Sequence, residues 1–292
     1  MATRTNSIQG QRVLITGPTS GIGKEIATHL AALGAEVILG CRDIQKGKET
    51  AADITRLTGS SRIVAMRLDT SSQASIREFA RGVRKKIRRL DVLINNAGGN
   101  RGLLPKIQSA DGIELTFATN VLGYFLLTQE LRALLQASAP ARIINVASSY
   151  ASDLDLDDLQ FEQRKFESFR AYAQSKACDR LLTWALARRL RDTGVTVNAM
   201  TPGLITETGL YRNAAPELVS RLTQYSGGRT SAQGADTAVW LVSAPELEGV
   251  SNKFFEDREE LECEFRNKKD EEKLWSICES LITDPVSGST EK

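Results

Sequence analysis

Histidine is nearly missing from this chain. His29 is the only one among 292 residues and lies in a helical run, so histidine-based triads and histidine metal clusters are not expected. Cysteine is sparse too: Cys41, Cys178, Cys263 and Cys278 are far apart, with no Cys-x-x-Cys pair, in a chain too large to need staples. That usage reads as a reducing compartment without disulfides or a zinc site. No run of about 18 apolar residues occurs, and positions 1–11 are polar, so neither a signal peptide nor a membrane anchor is expected and the reading is cytoplasmic. Charge of one sign is lacking as well. The 38 basic and 36 acidic residues leave a net charge of +2, which gives no field suited to nucleic acid or an acidic membrane. What remains, 41% hydrophobic and 25% charged, is the composition of an ordinary soluble protein with one large α/β core.

Short aliphatic runs alternate with longer helical patterns, beginning at positions 12–15, 35–39, 62–66 and 91–94 and continuing at 142–146 and 195–199. The alternation implies right-handed βαβ units in a parallel sheet, closed by a short strand near 253–255. No internal repeat or low-complexity linker interrupts it, so one domain is expected over 1–286, with 287–292 a frayed tail. Two segments break the rhythm. Positions 152–170, rich in Asp, Glu and Phe, form a candidate pocket rim, and 204–228, ending in Gly227-Gly228, a candidate lid. The basic run Arg81, Arg84, Lys85, Lys86, Arg88, Arg89 is read as a solvated helix face, because Ile76, Phe79, Ala80, Val83 and Ile87 recur at helical spacing.

Gly17, Thr19, Ser20, Gly21, Ile22 and Gly23 follow the first strand directly and open a helix. Glycines allow a tight turn, and the helix N-terminus offers free N–H groups and partial positive charge to a pyrophosphate. The spacing is Gly-x-x-x-Gly-x-Gly, neither the Gly-x-Gly-x-x-Gly fingerprint nor a P-loop. At the end of the second strand, Cys41 stands where an acidic residue would bond the ribose hydroxyls of NAD, and Arg42 follows. A guanidinium there can fork onto a 2′-phosphate, which points to NADP(H). Asp43 beside it has two readings, a carboxylate at that site or the cap of the next helix.

Tyr172 and Lys176 lie four residues apart, on one helix face and one turn from each other. A phenol titrates near pH ~10 in free peptides, and a nearby ammonium brings that value toward neutrality. The pair is a proton donor with its tuner.

Together these residues resemble the short-chain dehydrogenase/reductase family over nearly the whole chain. The motifs in order are 16–23, Asp69, Asn95-Asn96-Ala97-Gly98, Asn120, Ser148 in Asn145-Val146-Ala147-Ser148, Tyr172 with Lys176, and Pro202-Gly203. The sequence 40–43, Asp158-Leu159-Gln160-Phe161 and the C-terminal 248–255, followed by Leu274-Trp275, look most like the retinol-dehydrogenase-like branch. The resemblance implies a single-domain Rossmann fold, a doubly wound parallel sheet of about seven strands with helices on both faces. It implies that Tyr172 is the general acid/base, that Lys176 lowers its pKa and bonds the nicotinamide ribose, and that Ser148 bonds the substrate oxygen. Asn120 would hold a relay water, Asp69 would touch adenine, and Asn96, Ala97 and Gly98 would line the cofactor, with Pro202, Gly203 and Thr206 near the nicotinamide. A carbonyl that accepts hydride becomes an alkoxide, which needs a donor aimed at the developing charge and a proton source.

Ser149 follows Ser148 and either hydroxyl can face the substrate, the register favouring Ser148. Glu207, between Thr206 and Thr208, stands where the family often has threonine, which leaves the carboxamide contact open. Retinol-type relatives often carry an anchor that is not read here, so retinol as substrate is not implied. The first reading is an NADP(H)-dependent oxidoreductase acting on a small hydrophobic carbonyl or alcohol, its pocket drawn from Leu103, Leu104, Phe161, Phe166, Leu204, Leu210 and Tyr211. A catalytically silent dinucleotide sensor is the alternative, against which the set Asn120, Ser148, Tyr172, Lys176 argues. A nucleic-acid module built on the basic run comes last. Relatives associate as homodimers or homotetramers through the helices carrying Asn120 and Tyr172, the assembly the resemblance implies.

Overall fold

The aliphatic runs become strands β1 (Arg12–Thr16), β2 (Glu36–Cys41), β3 (Ile63–Arg67), β4 (Val92–Asn95), β5 (Ala141–Val146), β6 (Val195–Met200) and β7 (Phe254–Glu256), parallel wherever they pair. This computed structural model describes residues 8–100, 102–206, 213–217, 219–220 and 227–282; the expected tail at 287–292 and much of the expected lid lie outside them. Central strands are covered on both faces, which is why they read as unbroken apolar runs: Val13, Leu14 and Ile15 are each 0% exposed. An eighth strand, β8 (Glu259–Leu261), runs antiparallel to β7, so the expected sheet of about seven was one strand short. Its turn consists of Asp257 and Arg258, both left-handed at φ 51° and 64°, the geometry a two-residue hairpin requires. Two charged residues carry no glycine signal, and Arg258 holds the turn by donating to Asp236 at 2.7 Å.

Helices flank the sheet: α1 (Gly21–Ala32), α2 (Ile44–Thr58), α3 (Gln73–Lys86), α4 (Leu115–Phe117), α5 (Gly123–Ala137), α6 (Ser168–Arg189), α7 (Ser231–Ser243) and α8 (Lys268–Leu281). One core cluster joins Leu14, Leu93 and Ile143 to α3, α5, α6 and α8; a second joins Val13, Ile15 and Ile94 to α1 and α7. The strand order β3-β2-β1-β4-β5-β6-β7-β8 reverses direction between β1 and β4. That switch point opens a crevice at the carboxyl ends of the strands, and most of the candidate residues follow those ends.

On α3, Ile76, Phe79, Ala80 and Val83 are buried, and the basic residues fall outside them, with Arg84 paired to Glu130 at 3.1 Å. His29 is exposed and bonds the Glu25 carbonyl at 2.8 Å, a structural role. No helix among the described residues is long and apolar enough to cross a membrane.

The last helix, α8, packs on α5 and α6. Trp275 meets Phe125 edge-on at 4.8 Å, the Arg189 guanidinium lies 3.9 Å over its ring, and hydrogen bonds from Arg189 and Arg188 pull the Glu272 carboxyl down to about 2. Part of the surface through which the resemblance implies subunit contact is therefore covered by this chain's own C-terminal helix. Trp275→Ala should cost ~3–5 kcal/mol, because a large buried ring leaves a cavity that α8 cannot close. A urea denaturation midpoint matching wild type would show that α8 adds nothing to the core.

Candidate active site

The glycine turn is shaped by what a side chain would strike. Gly17 adopts φ +66°, and a Cβ there would lie 2.9 Å from the Ala97 Cα; at Gly23 it would lie 2.4 Å from the Gly17 carbonyl oxygen. Asn96 locks the turn, its amide donating to the carbonyls of Thr16 at 2.8 Å and Gly17 at 3.2 Å. The Thr16 hydroxyl accepts from the backbone N–H groups of Asn96 and Ala97 at 2.9 and 2.8 Å. Asn96 and Ala97 thus brace the loop as well as border it. Ser20 precedes α1 in extended conformation without a side-chain cap, so the first N–H groups of Gly21, Ile22 and Gly23 stay open to an anion. Thr19 is half-buried beside them. The cradle fits a dinucleotide pyrophosphate.

At the β2 end the two readings of Asp43 separate. Its carboxylate accepts from the backbone of Gln45 and Lys46 at 3.0 and 3.1 Å and caps α2. Cys41 is buried, its thiol donating to the Met66 carbonyl at 3.6 Å. Arg42 is exposed and makes no hydrogen bond or ion pair to the other described residues. Asp69, after β3, accepts from Ser71 N–H at 3.0 Å and Ser71 hydroxyl at 2.6 Å through one oxygen, leaving the other to a ligand.

Asn120 lies in a π-helical turn (Ala118–Leu122) inserted between α4 and α5, where one continuous helix was expected. Such turns wedge an extra residue into the helix, commonly at functional sites. Here the Asn120 amide group reaches the Gly99 carbonyl at 3.2 Å and the Ser175 hydroxyl at 2.9 Å, and its oxygen accepts from Gly99 N–H at 3.1 Å. Gly98 brings the parts together: a Cβ on it would sit 3.3 Å from the Asn120 oxygen and 3.6 Å from the Lys176 nitrogen.

Tyr172 and Lys176 face inward from α6. The Lys176 nitrogen lies 5.8 Å from the Tyr172 ring centre and 5.4 Å from that of Tyr124, and donates to the Val146 carbonyl at 2.9 Å and to Asp179 at 2.8 Å. Burial opposes the ammonium; Asp179, with the Tyr124 and Tyr172 phenols, outweighs it and holds Lys176 above the usual lysine value, a cation. Burial likewise pushes the Asp179 carboxyl up to about 7, with Lys176 and Arg180 acting against it.

Ser148 is half-buried and Ser149 exposed. The Ser148 oxygen accepts from Tyr150 N–H at 3.1 Å, which leaves its proton free to donate. Its carbonyl is held by the Arg180 guanidinium, which stacks 4.3 Å over Phe254, and Ser149 N–H donates to Thr201 at 2.8 Å. Gly203, at φ +72°, leaves room for Arg229, which donates to Pro202 at 3.4 Å and to Asp257 at 2.7 Å. Thr206 packs against Gly228, its N–H donating to the Arg229 carbonyl at 3.2 Å. Glu207, Thr208, Leu210 and Tyr211 lie outside the described residues.

The pocket expectation needs one correction. Phe161 is buried inside the 152–170 segment, edge-on to Phe166 at 5.5 Å and under Arg164 at 4.8 Å, because the buried Asp158 carboxylate gathers the backbone of Glu162, Gln163 and Arg164 around it. Leu103, Leu104 and Tyr150 are instead exposed, at 72%, 40% and 55%. Sequence reasoning also missed Asp179, Arg180 and Ser175. Their signal was present in the helical spacing: Asp179 is three residues beyond Lys176 and seven beyond Tyr172, on the same face.

A sequence profile described as short chain dehydrogenase matches residues 11–218. Human retinol dehydrogenase 14 is 39% identical, covering 94% of this chain and 87% of the relative, and human retinol dehydrogenase 12 is 40% identical, covering 95% and 89%. Among solved structures, an uncharacterised protein from Mycobacterium paratuberculosis superposes with TM-score 0.77 at 27% identity over 96% of both chains. The Pseudomonas aeruginosa RhlG/NADP complex does so at 0.66 and 28%, over 87% of this chain and 97% of that one. The crevice, its glycine cradle and these likenesses agree: the chain belongs to the short-chain dehydrogenase/reductase family, in its retinol-dehydrogenase-like branch. It is an oxidoreductase that interconverts a carbonyl and an alcohol on a small molecule with a nicotinamide dinucleotide.

Proposed function

We propose that the protein is NADP(H)-dependent, acts on a hydrophobic ketone or aldehyde and the matching alcohol, and uses Tyr172 as general acid/base. The observation that carries this reading is the convergence of Asn120 and Lys176 beside Gly98, with the Tyr172 ring centre 5.8 Å from the ammonium. Gly17, Gly21, Ile22 and Gly23 would hold the pyrophosphate and Arg42 the 2′-phosphate, and the bound nicotinamide supplies or takes the hydride. Ser148 donates its free proton to the substrate oxygen, and Tyr172 gives or takes the proton. Lys176 keeps positive charge beside the phenol, and Asn120 links the Gly99 backbone to the Ser175 hydroxyl between the two on α6. Exposed Leu103, Leu104 and Tyr150, on loops that follow β4 and β5, support an apolar substrate.

A carbonyl panel assayed with NADPH and with NADH tests the reading, and no turnover of apolar aldehydes with either would overturn it. Arg42→Ala should raise the KM for NADPH roughly 10- to 100-fold and leave that for NADH nearly unchanged, the loss of a charge-assisted phosphate contact. Equal losses with both cofactors would remove Arg42 from the 2′-phosphate site.

A further inference from the structure

Against Lys176 the chain has buried a carboxylate. Asp179 is 1% exposed, and one oxygen accepts from the Lys176 ammonium at 2.8 Å. The other oxygen has no hydrogen-bond partner among the described residues. Asp179 also borders a cavity of about 20 Å³ whose walls are mainly apolar, Phe125, Leu182, Leu186 and Trp275. An acid carries a large desolvation cost at such a depth, and salt bridges far inside proteins seldom add stability. Asp179 also partners a buried ammonium, and an amide would fill the same space without the charge.

We propose that Asp179 is a positioning residue for the Tyr172–Lys176 pair: its carboxylate anchors the ammonium from the core side, offsets part of its charge, and so sets the pH at which Tyr172 exchanges its proton. This rests on the reading of Tyr172 as acid/base. The Lys176 ammonium lies 5.8 Å from the Tyr172 ring centre and 2.8 Å from Asp179, so its pull toward phenolate is the pull of a partly neutralised cation. Burial pushes the Asp179 carboxyl up to about 7, so above that pH, where a phenol titrates, the counter-charge is in place. The other titratable groups facing Asp179 are Arg180 and Cys178 on α6, Tyr124 on α5 and Cys278 on α8. Burial raises the Tyr124 phenol and the Cys178 and Cys278 thiols above their usual values, so none of the three becomes anionic while Asp179 does.

The test is a pH titration of protein labelled with ¹³Cζ-tyrosine, free of cofactor, with the Tyr172 signal assigned as the one lost in Tyr172→Phe. Asp179→Asn should move the Tyr172 midpoint down by about one unit, and Asp179→Glu, which keeps the charge, should stay near wild type. In parallel, the alkaline fall in kcat for nonanal reduction with NADPH should move down by the same amount in Asp179→Asn only. An unchanged or raised midpoint in Asp179→Asn overturns the proposal. So does an Asp179→Asn protein that fails to fold while Asp179→Glu folds with a shifted midpoint. If instead Asp179→Asn fails to fold and Asp179→Glu keeps the wild-type midpoint, Asp179→Ser decides by the same downward shift, and its absence or failure to fold assigns Asp179 to structure alone. Full turnover in Tyr172→Phe would defeat the acid/base reading itself, separately from the titration.

Discussion

Tyr172→Phe should lower kcat/KM for carbonyl reduction by about 100- to 10,000-fold, the range lost when a positioned general acid is removed. The ring remains to fill its place on α6, and only the hydroxyl proposed to exchange the proton is deleted. Thermal midpoint and dinucleotide affinity are therefore expected to stay near wild type, so the loss falls on kcat. Ser148→Ala, which removes the donor and keeps the acid, should give a smaller loss, and the two changes together should cost less than their product, because both act on one oxygen. Wild-type turnover in Tyr172→Phe would mean that another group supplies the proton, and no histidine is near to do so: His29, the only one, is exposed and bonded to its own helix.

Gly23→Ala should weaken NADPH and NADH together, at least tenfold each, and lower the thermal midpoint. The added Cβ would sit 2.4 Å from the Gly17 carbonyl oxygen and 2.5 Å from the Asn96 amide nitrogen, both fixed by the turn itself. Either α1 moves off the sheet or the Asn96 bonds to Thr16 and Gly17 break, a strain of ~1–3 kcal/mol by comparison with overpacked cores. Gly82→Ala is the control. On α3 its Cβ would meet only the flexible end of Met66 at 3.2 Å, and alanine favours a helix by up to ~1 kcal/mol over glycine. Affinity unchanged in Gly23→Ala would show that the cradle tolerates displacement and that the glycine is there for packing alone. The pattern also separates this site from Arg42, whose loss is expected to discriminate between the two cofactors.

The parallel strands were legible because each is covered on both faces and so is written as an unbroken aliphatic run, and their ends followed within a residue or two. The glycine turn was legible because glycine reaches φ +66° without strain and has no Cβ, which at Gly17 would fall 2.9 Å from the Ala97 Cα. Strand β8 was not, since its turn places Asp257 and Arg258 in the left-handed region and is held by side chains from α7, with no local signal. The π turn at Asn120 was hidden for a related reason: an inserted residue leaves the helical composition of 111–137 unchanged. Phe161 looked like a pocket wall, and turned inward because Asp158 draws the following backbone around itself.

Sequence alone determined the class of chemistry, a carbonyl/alcohol oxidoreductase using a nicotinamide dinucleotide, because the motifs run in the order of that family over nearly the whole chain. Tertiary structure decided where the charges stand. Asp43 became a helix cap and left Arg42 free, and Asp179 came under Lys176 instead of facing water. Both outcomes depend on which groups lose solvent and which find partners, and burial is a property of the packed molecule that no residue expresses in isolation.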